Sequence, residues 1–216
     1  MIATAYSTDF DTLLPALEAW VTQAEREAAQ TYRQQPRQQQ FLAGRGLLRW
    51  LVCETWHCAA GAVTITRQAN GAPQLHVGGQ RWQCSISHTK GAALVAASPA
   101  YVVGVDIERI KARKRLADLV HQYQQGFFVD VNPANWPQFY QRWTLAEAVT
   151  KAEQGLLLDT LKRPVADYAA HAVNHQHNDD YMLCCYTPHA AAGEELAPLQ
   201  AVSVDSASGN LVWVTA

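Results

Sequence analysis

The chain has 216 residues, 49% of them apolar and 17% charged, with a formal charge of -2. That balance argues against a disordered chain and leaves no general electrostatic footprint for nucleic acid; no stretch reaches the roughly 18 consecutive apolar residues that a membrane span needs. A cytoplasmic location is expected, with Cys53, Cys58, Cys84, Cys184 and Cys185 reduced and acting as small buried apolar residues.

In chain order, residues 12–32 place Leu13, Leu17, Trp20, Val21 and Ala24 at helical spacing, and Pro36 interrupts the pattern. A second helix is predicted over 37–58, with Phe41, Leu48, Leu51 and Val52 toward a core. Arg45 and Arg49, four apart, share one face of it. Cys53, His57 and Cys58 do not suffice for zinc, because no second Cys/His pair at suitable spacing completes four ligands.

After Gly61 the pattern changes to short β-rich runs at 63–66, 74–77, 82–87 and 92–97, punctuated by Asn70-Gly71, Gly78-Gly79 and Lys90-Gly91. A further strand is predicted over 101–108, then a helix over 136–153, then strands at 170–173, 181–186, 199–204 and 211–214. The basic run Lys111 to Arg115 reads as a solvated stretch. Helices then strands, followed by helices then strands, predict an α+β protein of two similarly built halves, 1–103 and 104–216, each a small antiparallel sheet packed with helices.

Three places carry candidate chemistry. In Asp106-Ile107-Glu108 the strand period of two puts both carboxylates on one face. On the predicted helix, Trp143, Glu147 and Lys151 follow at four-residue intervals and share a face. Three converging carboxylates repel one another unless a cation neutralises them, and magnesium takes carboxylates, water and substrate phosphates together. The segment Cys84-Ser85-Ile86-Ser87-His88-Thr89 ends a strand with hydroxyls around a histidine, all groups able to donate to phosphate. Each of these, taken alone, is more often an exposed strand edge, a surface Glu-Lys pair or a satisfied histidine.

Their ordered combination is more specific. Arg45 within Phe41-Leu42-Ala43-Gly44-Arg45-Gly46-Leu47-Leu48-Arg49, Ser87-His88, Gly104-Val105-Asp106-Ile107-Glu108, and Trp143 through Lys151 resemble the larger, surfactin-synthetase-activating (Sfp-like) type of 4′-phosphopantetheinyl transferase, over roughly residues 25 to 158. That resemblance implies a monomeric pseudo-dimer of two α+β halves with coenzyme A in the cleft between them, and an enzyme that moves phosphopantetheine from coenzyme A to a serine of an acyl or peptidyl carrier protein, releasing 3′,5′-ADP. It implies magnesium on Asp106, Glu108 and Glu147, coenzyme A phosphates on Arg45, Ser87, His88 and Lys151, and proton handling or charge stabilisation by Glu147 and Lys151. Nucleic acid and membrane are not among the expected partners.

The chain departs from the resembled pattern at Ala72 and Ala146, where lysines are usual, and around Gly126-Phe127-Phe128-Val129-Asp130. A lysine at 146 would be expected to add charge beside the pyrophosphate. The alternative function is a weakened family member that binds a carrier or another partner; a phosphodiesterase would rest on the carboxylates alone.

Overall fold

Ala92–Ser98 is seven residues without a charge, and all seven are buried. In the computed structural model, which describes residues 1–178, 180–188 and 196–214, this strand lies inside an antiparallel sheet. The sheet has the spatial order β1-β5-β4-β3-β2: β1 (Ala3–Ser7), this strand as β5, β4 (Gln80–Thr89), β3 (Pro73–Val77) and β2 (Val63–Arg67). A second sheet, ordered β6-β8-β7, contains β6 (Gly104–Arg109), β8 (Tyr181–Thr187) and β7 (Ala172–Asn178), and β9 (Val202–Val204) pairs with β10 (Leu211–Trp213). All these pairings are antiparallel, so the α+β class holds.

The first sheet is covered by α3 (Gln35–Trp56), whose residues 43 to 53 are all buried. The helix therefore has neighbours on every side, and its pattern is not the simple amphipathic one of a surface helix. Arg49 lies within that buried stretch and forms a two-pronged ion pair with Glu25, at 2.8 and 2.9 Å. The predicted helix over 12–32 divides into α1 (Phe10–Ala16), a short 3-10 turn and α2 (Gln23–Gln30). The chain turns extended at Val21 after the 3-10 turn, and Thr22 starts the second helix: its hydroxyl accepts from Glu25 N while the Glu25 carboxylate accepts from Thr22 N.

The second sheet is covered by α5 (Trp136–Glu153), with the bounds predicted from sequence. Two short helices, α4 (Leu116–Gln122) and α6 (Leu157–Lys162), and the edge strand β1 were not predicted. Leu116 and Val120 of α4 pack into the same core as Phe127, Phe128, Phe139 and Tyr140. A third apolar cluster joins the two sheets, combining Leu94 and Ala96 of β5 with Val105 and Ile107 of β6 and Leu183 and Cys185 of β8. The last strands, assigned by sequence to the second half, pack instead on the first core: Val202 and Leu211 are buried there, and Trp213 lies 4.6 Å, ring to ring, from Trp50. No helix among the described residues is long and apolar enough to cross a membrane.

One glycine decides how closely α5 approaches β6. A Cβ placed on Gly104 would overlap the carbonyl of Ala148, so this strand and helix touch backbone to backbone. Gly104→Ala is expected to cost about 1–3 kcal/mol of stability through overpacking; urea unfolding followed by circular dichroism checks it.

Candidate active site

The strand period places the β6 side chains as the sequence suggests. Val105 and Ile107 face the cluster between the sheets, while Asp106 lies opposite Cys184 and faces the other way. Because Gly104 admits α5, Lys151 in its last turn reaches back to β6. The ammonium donates to Asp106 Oδ1 at 2.7 Å, to the Val105 carbonyl at 3.1 Å and to Ser87 Oγ at 3.0 Å. Ser87 Oγ in turn donates to Asp106 Oδ1 at 2.7 Å and accepts from Ile107 N at 3.3 Å. Ser85, two residues earlier on β4, accepts from Val105 N at 3.0 Å. Two hydroxyls of β4 thus satisfy the backbone donors on one edge of β6.

Asp106 is buried, and its second oxygen, Oδ2, has no hydrogen-bond partner. A buried carboxylate oxygen without a partner is costly unless something neutralises it. The remaining carboxylates respond to the same crowding. Burial, then the charge of Asp106, pushes the Glu108 carboxyl up; burial, then Asp106, also raises Glu147. Arg113 lies 3.5 Å from Glu108, with its guanidinium 4.6 Å over the Trp143 ring. Among the described residues no group of three His, Cys, Asp or Glu side chains has the arrangement of a metal site. Lys151 and Arg113 each hold one of these carboxylates instead. The donor set nevertheless fits a hard divalent cation: three carboxylates, mutual repulsion, and one buried oxygen with nothing to accept from.

Lys151 also lines a cleft of about 480 Å³, together with Arg37, Arg45 and Arg67, and with Tyr32 and Phe41. Three guanidinium groups and an ammonium around one cavity suit an anion of several charges. Arg45 donates to the Thr66 carbonyl at 3.0 Å and stacks 5.2 Å over Phe41. Arg37 and Arg67 were not among the sequence-derived site residues. Arg37, Phe41 and Arg45 recur at four-residue steps along α3, and that spacing is a signal from which Arg37 was legible. Arg67 comes from the end of β2, with no comparable signal.

His88 lines the same cleft, and its Nε2 lies 2.6 Å from Arg37 Nη1. A guanidinium has only donors, so the imidazole nitrogen is the acceptor. Burial first, then the charges of Arg37 and Lys151, pull the His88 pKa down to about 4. His88 is therefore neutral near neutral pH and orients Arg37, where the sequence placed it as a direct phosphate contact. Ala146, where added lysine charge was expected beside a pyrophosphate, lies on the face of α5 that is wholly buried in the second core. Ala72 does line the cleft.

Residues 8–100 match the family model described as 4′-phosphopantetheinyl transferase, N-terminal. A curated protein of Thraustochytrium sp. (strain ATCC 26185 / S-3), named "Phosphopantetheinyl transferase", is 27% identical over 153 residues. The chain is thus similar to phosphopantetheinyl transferases over part of its length. The match covers 63% of this chain and 53% of that relative, so the chain spans about half the relative's length. Within the matched residues 8–100 lie Arg45, Ser87 and His88; Asp106, Glu108, Glu147 and Lys151 come after them.

The depressed His88 pKa links stability to acidity. The unfolded imidazole takes a proton near its ordinary value of 6.5, whereas the folded one resists until about 4. Stability is therefore full above pH 6.5 and falls as the pH drops from 6.5 toward 4. In thermal unfolding across that range, His88→Gln is expected to lose less of its melting temperature on acidification than the parent protein.

Proposed function

We propose that this chain transfers the 4′-phosphopantetheine group of coenzyme A to a serine of an acyl or peptidyl carrier protein, releasing 3′,5′-ADP, as an enzyme of the larger, surfactin-synthetase-activating type. The observation that carries the reading is Lys151. It lines the cationic cleft and, through the same ammonium, is bonded to the buried carboxylate with the unpartnered oxygen. A cleft for a polyanion and a cluster of hard oxygen donors therefore share a wall. That is the pairing a pyrophosphate substrate with a divalent cation requires.

In this reading Asp106, Glu108 and Glu147 would hold magnesium, which would supply neutralising charge to the pyrophosphate. Arg37, Arg45 and Arg67 hold coenzyme A phosphates, with His88 keeping Arg37 in place. The carrier serine oxygen attacks the phosphorus next to the pantetheine arm, and the bond from that phosphorus to the bridging oxygen breaks, leaving 3′,5′-ADP with the electron pair. Glu147 takes the serine proton, directly or through one water, its raised affinity for protons suiting it to that task. The Lys151 side chain faces the charge that develops on the phosphoryl oxygens. With the halves divided near residue 103, the residues that line the cleft come from α3, β4 and the 68–72 loop on one side and from the end of α5 on the other, which supports the reading.

The test is intact-protein mass spectrometry of several apo carrier proteins incubated with this protein and coenzyme A, with and without magnesium. A magnesium-dependent gain of about 340 Da, one phosphopantetheine arm, is expected on the carrier. Asp106→Ala and Glu147→Ala are each expected to lower the transfer rate at least about 100-fold, the scale of removing a charge-stabilising group. The alternative, a partner-binding family member with little transfer, rests on Ala72 leaving the cleft wall uncharged at that point. No gain on any carrier, with carrier binding retained, would favour it.

A further inference from the structure

The sequence placed Ser87 among the phosphate-binding residues, beside His88. Its bonds point elsewhere. A serine hydroxyl has one proton to donate and two lone pairs with which to accept. The Ser87 proton goes to Asp106 Oδ1 at 2.7 Å, and its lone pairs take Lys151 Nζ at 3.0 Å and Ile107 N at 3.3 Å. The residue is 4% exposed and is not part of the cleft wall. For a phosphate to take a hydrogen bond from Ser87, the bond to Asp106 would have to break.

We propose that Ser87 is a positioning residue that fixes the Lys151 ammonium and the Asp106 carboxylate at one spacing, and that it does not contact substrate. The inference rests on the functional reading above only for its kinetic consequence. Without the hydroxyl, Lys151 keeps the Val105 carbonyl and Asp106, both on β6, and loses its tie to β4. The ammonium then gains freedom along the cleft wall, and Asp106 Oδ1 loses one of its two donors.

Ser85 supplies the comparison. It caps a β6 backbone donor just as Ser87 does, through Val105 N at 3.0 Å, and makes no bond to Lys151 or Asp106. A purely structural role for Ser87 would make the two alanine variants behave alike.

The decisive experiment is labelling of the intact protein with an amine-reactive ester, read by peptide mass spectrometry, with Lys90, Lys111, Lys114 and Lys162 as internal references. The Lys151 side chain is 30% exposed and within reach of the reagent. Ser87→Ala is expected to raise Lys151 labelling about two- to tenfold, the worth of one hydrogen bond, while Ser85→Ala leaves it unchanged and both lower the melting temperature. Unchanged Lys151 labelling in Ser87→Ala overturns the proposal. Ser87→Thr, which keeps the hydroxyl, is expected to label like the parent; should Ser87→Ala not fold, Ser87→Cys carries the same comparison. In the carrier assay kcat is expected to fall about tenfold with the coenzyme A KM unchanged, the pattern of a misplaced group. A raised KM with kcat intact would mark a phosphate contact and overturn it. A parent protein that modifies no carrier would remove the functional reading, and Lys151 labelling would then decide the placement by itself.

Discussion

Lys151 brings one positive charge to the place where three elements meet: it belongs to α5, and its three donors are taken by β4 and by two groups of β6. An ammonium has three protons and no lone pair, so full satisfaction requires three acceptors at once. Meeting that demand sets the distance between the helix and both sheets. Gly104 makes the approach sterically possible and the Ser87 hydroxyl supplies the acceptor from the first sheet. The apolar cluster between the sheets brings the same surfaces together without direction; the ammonium supplies the direction.

The charges around that point are arranged in two zones. On one side Asp106, Glu108 and Glu147 crowd together, and burial first, then the charge of Asp106, makes the latter two hold protons more tightly. On the other, Arg37, Arg45 and Arg67 surround the cleft. Lys151 belongs to both zones, lining the cleft while ion-paired with Asp106. Arg113, from the basic run after β6, pairs with Glu108.

Much of this was legible in the residues. The period-two spacing of Asp106 and Glu108, the four-residue steps through Trp143, Glu147 and Lys151, and the bounds of α5 all follow from local geometry. The break at Thr22 was also written locally, in Thr22-Gln23-Ala24-Glu25, but the apolar period running across it hid the capping box. What local pattern does not carry is which donors meet which acceptors. The hydroxyl of Ser87 could equally face a ligand or the neighbouring sheet, and only the packing of β6 against β4 chooses the second. For the same reason Ala146 resembled a missing charge at a site, although its helix position turns it into the core.

The return of β9 and β10 to the first core has a consequence for how the chain acquires its structure. Val202, Leu211 and Trp213 close a cluster begun by residues near the N-terminus, including Leu13 and Leu47. During synthesis the first sheet and α3 therefore emerge with part of their apolar surface uncovered, and it stays so until nearly the whole described chain has left the ribosome. Contacts of such long sequence separation slow folding. The first sheet and α3, which carry one wall of the cationic cleft, must wait for β9 and β10 before their own core is complete.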